Sequence, residues 1–264
     1  MTLHREASPA GVPTLHGADP DGRRADGSRR FIELRRLAVL ARSSLERGRR
    51  PWLGVALGAT SVAVYLLLPN PIIGRTLWHL GAVFASLPLT TELWRLPMSL
   101  FLPTPYLPVW GAALQLVVVI GLSELVLGRW LTIAVATFGH VAATLTARVM
   151  IDFVHGGLLG LSPELAHVLD TGPSAAATAV GAYLLLVLGM RRCAALLCVG
   201  LLIAALVTPG VDGLEHLVAL ACGLLAGRFL PMHYRWHRPH ELGASGSFGP
   251  ILITTPHSSE RAQG

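Results

Sequence analysis

Asp170-Thr171-Gly172-Pro173-Ser174-Ala175 opens a stretch that stays apolar to about residue 190. Glu215-His216-Leu217-Val218-Ala219 opens another, which carries Gly223 and Gly227 and ends near residue 230. Each is long enough, or nearly so, to cross an apolar layer of about 30 Å at about 1.5 Å per residue. A hydroxyl and an imidazole, each at the entrance of such a stretch, are candidates for chemistry, because polar groups within a bilayer are costly and need a reason to be there.

Four further apolar stretches flank these two, at about 52–69, 106–125, 130–150 and 193–209. With 172–190 and 213–230 they predict six spanning helices. Of the 264 residues, 52% are hydrophobic and 14% charged, with a mean hydropathy of +0.57; a soluble domain carries about 25% charge. The expectation is an all-α polytopic membrane protein in three parts: a disordered, Arg-rich tail over 1–50, a six-helix membrane domain over 51–230, and a basic, flexible tail over 231–264. No secretory signal is read, since the first apolar run begins only near Trp52, behind a long polar segment. Residues 71–104 are broken by Arg75, His79, Glu92 and Arg95 and by prolines, and are expected to form a large amphipathic loop in the membrane interface.

Charge sets the expected orientation. Placing the N-terminus in the cytoplasm puts 18 of the 21 basic residues, all of them arginine, on the inner side. The outer side keeps Arg75, Arg95 and Arg148 together with Asp152, Glu164, Asp170, Asp212 and Glu215. Both termini are then cytoplasmic, in a multi-pass protein of the cell membrane. Ser174 and His216 fall on the same, outer side. The pI near 10 does not indicate nucleic acid, because the arginines lie where topology requires them and no aromatic residues interleave with them as a binding surface. Cys193, Cys198 and Cys222 lie in apolar segments without disulfide or metal spacing. His155 and His167 lack the carboxylate or cysteine partners of a metal site, so no metal is expected there.

A serine hydroxyl becomes a useful nucleophile when an adjacent base takes its proton, and histidine suits that role near neutral pH. The pair requires the fourth and sixth spans to pack closely. Ala219, Gly223 and Gly227 on one, and Ala175, Thr178, Gly181 and Ala182 on the other, are the small residues that permit it. Gly172 offers close substrate approach or an N–H for an oxyanion, and Pro173 fits a first helical position. Asp170 is expected to cap the fourth span, with orientation of His216 as the alternative. His140, a polar group within the third span, needs a partner; packing and a role beside the pair are both open.

These residues resemble the rhomboid family of intramembrane serine proteases. Trp94-Arg95 resembles the family's Trp-Arg loop motif, and Glu124-Leu125-Val126-Leu127-Gly128 its E-x-x-L-G signature. Gly172-Pro173-Ser174-Ala175 is similar to G-x-S-G with Ala in the last place. His216 through Gly223 is similar to H-x-x-G-x-x-x-G with Ala219 for the first Gly, and Gly227 follows. The neighbourhood of His140 is similar to a divergent actinobacterial branch. The resemblance spans residues 52–230 and implies Ser174 as nucleophile, His216 as general base, no cofactor, and single-pass membrane proteins as substrates. Trp94, Arg95, Glu124 and Gly128 would be structural, with Arg95 satisfying backbone carbonyls and Glu124 bonding the turn or Arg129. The chain departs from the family where Pro108 and Ala112 stand in place of the His and Asn that help bind the oxyanion, and where Thr178 replaces an aromatic. The amide of Gln115 is a candidate substitute donor. Two functions follow: an intramembrane serine endopeptidase acting near the outer leaflet, or an inactive rhomboid-like protein that binds client transmembrane helices. A transporter is disfavoured, since no internal repeat is evident.

Overall fold

The computed structural model describes residue 35 and residues 37–103, 108–153, 161–207 and 210–230. Among these residues the chain is helical throughout, apart from one isolated antiparallel bridge between Val83 and Asp170. The tail 231–264 and residues 1–34 lie outside the described residues.

The first helix, α1 (37–46), falls inside the segment expected to be disordered. That expectation is corrected for these residues. Leu40 and Ser44 are one turn apart and both buried, so the segment carries a helical stripe that the surrounding arginines hid.

Each of the six stretches expected to span holds a helix. These are α2 (Trp52–Leu67), α5 (Val109–Leu127), α6 (Arg129–Phe153), α7 (Ser174–Val187), α8 (Arg191–Val207) and α9 (Val211–Phe229). Two of them, α5 and α6, are long and apolar enough to cross a membrane, while α2 and α7 are shorter apolar helices. The segment expected as an interfacial loop folds into two further helices, α3 (Pro71–Gly81) and α4 (Leu89–Ser99). Asn70 starts α3 by accepting the N–H groups of Ile72 and Ile73, each at 3.0 Å, with Pro71 behind it. Ala82 and Leu102, on either side of α4, pack with Val64 of α2 in a small apolar cluster.

Helix α5 contains one π-helical turn, Leu116–Ile120, directly after Gln115. It packs against α2, where a Cβ at Gly54 would stand 2.6 Å from the Gly121 nitrogen. Glu124, buried near the end of α5, ties three elements together. Its Oε2 accepts the Leu53 N–H at 2.6 Å and its Oε1 accepts from Arg129 Nε at 3.1 Å. A carboxylate against the unpaired first-turn donors of α2 is well placed for the helix dipole. Gly128 ends α5 at φ 88, a conformation open to glycine at little steric cost. Its carbonyl then accepts from Thr132 Oγ1 at 2.9 Å in the first turn of α6.

Helices α6, α7 and α9 each pack against the other two. A Cβ at Gly139 of α6 would overlap the methyl of Ala179, and one at Gly223 of α9 would overlap the Ala179 carbonyl. Ala175 to Ala179 are all buried. Small side chains on three helices let the backbones approach closely here.

Candidate active site

The turn before α7 is held by three successive residues. The Asp170 N–H donates to the Val83 carbonyl at 2.9 Å, Thr171 Oγ1 to the Pro103 carbonyl at 3.2 Å, and the Gly172 N–H to the Ser99 carbonyl at 2.9 Å. Gly172 has φ 116, a region that side-chain-bearing residues avoid. Pro173 follows as the cap residue, one position earlier than expected, and Ser174 is the first residue of α7.

Two expectations are corrected by this turn. Gly172 is not a free oxyanion donor, because its N–H is already bonded to Ser99. Asp170 does not cap α7, since that helix has no side-chain cap. Its carboxyl instead meets that of Glu215 on α9. Among the described residues, the N–H groups of Ser174, Ala175 and Ala176 have no backbone acceptor. Such first-turn donors, at the positive end of the helix dipole, suit a developing negative charge.

His216 lies in the second turn of α9, half-buried, with Nδ1 2.6 Å from the Asp212 carbonyl oxygen. A carbonyl only accepts, so this bond places the proton on Nδ1 and leaves the Nε2 lone pair free. Asp212 therefore orients the ring through its backbone, the role considered for the Asp170 side chain. Gly223 follows His216 by two helical turns, so both occupy one face of α9. That face is against α7, because Gly223 meets Ala179 and Ala182, and Gly227 meets Leu186. The paired positions rise together along both helices, so α7 and α9 run parallel. Ser174 and His216 thus lie at the same end of the pair.

The other candidates are distributed around this end. Gln115 precedes the π-turn of α5, and its buried Oε1 has no partner; π-turns recur at functional sites. Val119, one turn further along α5, would be 3.6 Å from a Cβ at Gly181 of α7. Pro108 is the residue before α5 and Ala112 is buried, so neither supplies a donor side chain. His140 is buried on α6, with Nε2 3.2 Å from Ser99 Oγ and Nδ1 without a partner. Arg95 Nη1 donates to the Ala82 carbonyl at 2.9 Å, and its guanidinium carbon lies 5.4 Å from the Trp94 ring centroid. Among the described residues, no group of three His, Cys, Asp or Glu is placed to hold a metal ion.

Residues that the sequence reading passed over also shape this end. Glu92 of α4, counted only as an interruption of apolar sequence, is buried and paired with Arg148 of α6. Arg148 also donates to the Leu87 carbonyl at 2.7 Å and lies 3.4 Å from Asp152. Burial pushes the Glu92 carboxyl above its ordinary range, while Arg148 opposes the shift. Only the i,i+4 spacing of Arg148 and Asp152 hinted at this cluster; Glu92 is 56 residues from Arg148. Ser99 carried no signal at all.

Comparison with family models, characterised proteins and solved structures gives no match to this chain.

Proposed function

We propose that this chain is a six-pass, rhomboid-like intramembrane serine endopeptidase, with Ser174 as nucleophile and His216 as general base. In this reading α2 and α5–α9 are the spans, α3 and α4 lie in the outer interface, and both termini are cytoplasmic. The observation that carries it is the His216 Nδ1 contact to the Asp212 carbonyl at 2.6 Å. It leaves Nε2 as the basic nitrogen on the helix packed against the one that Ser174 begins. His216 takes the hydroxyl proton as Ser174 Oγ attacks a substrate carbonyl, then returns it to the leaving amine. The N–H groups at the start of α7, with the Gln115 amide, receive the oxyanion. Substrates are membrane-protein segments entering at the outer leaflet.

A second reading is favoured by Pro108, Ala112 and the bonded Gly172 N–H, which together remove donors: an inactive protein that binds the transmembrane helices of clients. Fluorophosphonate labelling of the detergent-purified chain decides between them. Labelling that is lost in both Ser174→Ala and His216→Ala establishes the enzyme. Equal labelling of all three forms, or none beside an active rhomboid control, favours the client-binding protein.

A further inference from the structure

Ser99 is the last residue of α4 and is fully buried. Its hydroxyl lies 2.8 Å from the Leu96 carbonyl and 3.2 Å from His140 Nε2. A hydroxyl has one proton, and the carbonyl can only accept it. Ser99 Oγ therefore donates to Leu96 and accepts from an Nε2–H of His140. The backbone of the same residue does a second task, since its carbonyl accepts the Gly172 N–H at 2.9 Å. Gly172 is the left-handed residue two positions before Ser174, and the rigid ring of Pro173 lies between them. A chain of contacts therefore runs from the imidazole of His140 on α6, through Ser99, to the turn that begins α7.

We propose that His140 and Ser99 are positioning residues for Ser174: the His140–Ser99 bond fixes the carbonyl that holds Gly172, and so sets where the Ser174 hydroxyl stands. The inference rests on the serine-hydrolase reading above. It accounts for a buried polar group on α6 that contacts neither member of the Ser174–His216 pair in any bond described. It also explains how α7 begins in a defined place without a side-chain cap. The Asp170 carboxyl lies near that of Glu215 on α9, but the hydrogen bond that holds Gly172 is supplied by Ser99.

The test compares His140→Leu, His140→Gln and Ser99→Ala with the unaltered chain, per mole of folded protein, by the rate of fluorophosphonate labelling. His140→Gln keeps a side-chain N–H at about the reach of Nε2. The expected result is a labelling rate at saturating probe lowered about tenfold or more in His140→Leu and Ser99→Ala, because small displacements of a nucleophile are costly. The half-saturating probe concentration stays unchanged, and His140→Gln recovers most of the rate. An unaltered rate in His140→Leu, or a loss that His140→Gln does not restore, overturns the proposal. If His140→Leu does not fold, Ser99→Ala and His140→Gln decide it alone. If the unaltered chain does not label, the hydrolase reading fails, and positioning is read without activity. Alkylation of a Ser174→Cys thiol by iodoacetamide, followed by mass spectrometry, is then expected to slow several-fold with His140→Leu and recover with His140→Gln. No change in that rate overturns positioning independently.

Discussion

Gly223 of α9 passes Ala179 of α7 with no room for a side chain: a Cβ at 223 would overlap the Ala179 carbonyl and stand 2.9 Å from the Ala182 methyl. The obstacle is backbone, which cannot rotate away. This contact sets the separation of the two helices that carry Ser174 and His216, so it governs both stability and the geometry of the pair.

Gly223→Val is accordingly expected to destabilise the protein by about 3 kcal/mol, at the upper end for overpacking, and to abolish fluorophosphonate labelling. Gly200 of α8 is the control, since a Cβ there meets nothing within 4 Å. Gly200→Ala is expected to leave labelling intact and to raise stability by up to about 1 kcal/mol through helix propensity. Thermal melts in detergent beside the labelling assay check both.

Glu92 and Arg148 form a buried ion pair between α4 and α6. Glu92→Ala leaves the guanidinium short of its main counter-charge and is expected to cost about 3 kcal/mol, moderated by Asp152. The pH dependence has a definite sign. Burial raises the Glu92 carboxyl above 4.5, so the folded chain holds this proton more tightly than the unfolded one. Its contribution to stability is fully present below pH 4.5 and is lost as the pH rises through the raised value. Melting temperature against pH, compared with Glu92→Gln, is expected to show that part of the profile flattened.

Glu124 accepts from Leu53 N–H and from Arg129 Nε. Glu124→Ala removes a charged acceptor from a partly buried backbone donor and from Arg129, and is expected to cost about 2 kcal/mol. Because Glu124 lies more than two turns beyond Gln115 on α5, the labelling rate per folded molecule is expected to stay within about twofold of the unaltered chain, as for distant sites that share no partner.

Gln115 has a buried, unpartnered amide oxygen beside the π-turn of α5. If its amide N–H groups serve the oxyanion, Gln115→Ala lowers the acylation rate by about 10² while leaving the melting temperature near that of the unaltered chain. An unchanged acylation rate would assign the whole oxyanion role to the N–H groups that start α7.

Much of this architecture is written in local sequence. Long apolar stretches located the helices at 109–127, 129–153, 174–187, 191–207 and 211–229, because helix formation and apolar burial are recorded residue by residue. The small residues Gly223 and Gly227 were legible as close-packing positions for the same reason, and Glu124 with Arg129 because five residues separate them. What the sequence left open concerned contacts between distant segments. The disorder expected over 37–46 failed because two buried residues outweighed the charges around them. Asp170 was read as a cap from its spacing to Ser174, yet its N–H bonds Val83 and its carboxyl meets Glu215.

The sequence by itself determined an apolar, all-helical chain and singled out Ser174 and His216, since hydropathy, helix entrances and residue chemistry are local properties. Only the tertiary structure decided that the Gly172 N–H is taken by Ser99, and which side chain His140 meets. Hydrogen bonds close over a few ångströms in space, and here they join residues as far apart in the chain as Ser99 and Gly172, a separation that no spacing rule encodes.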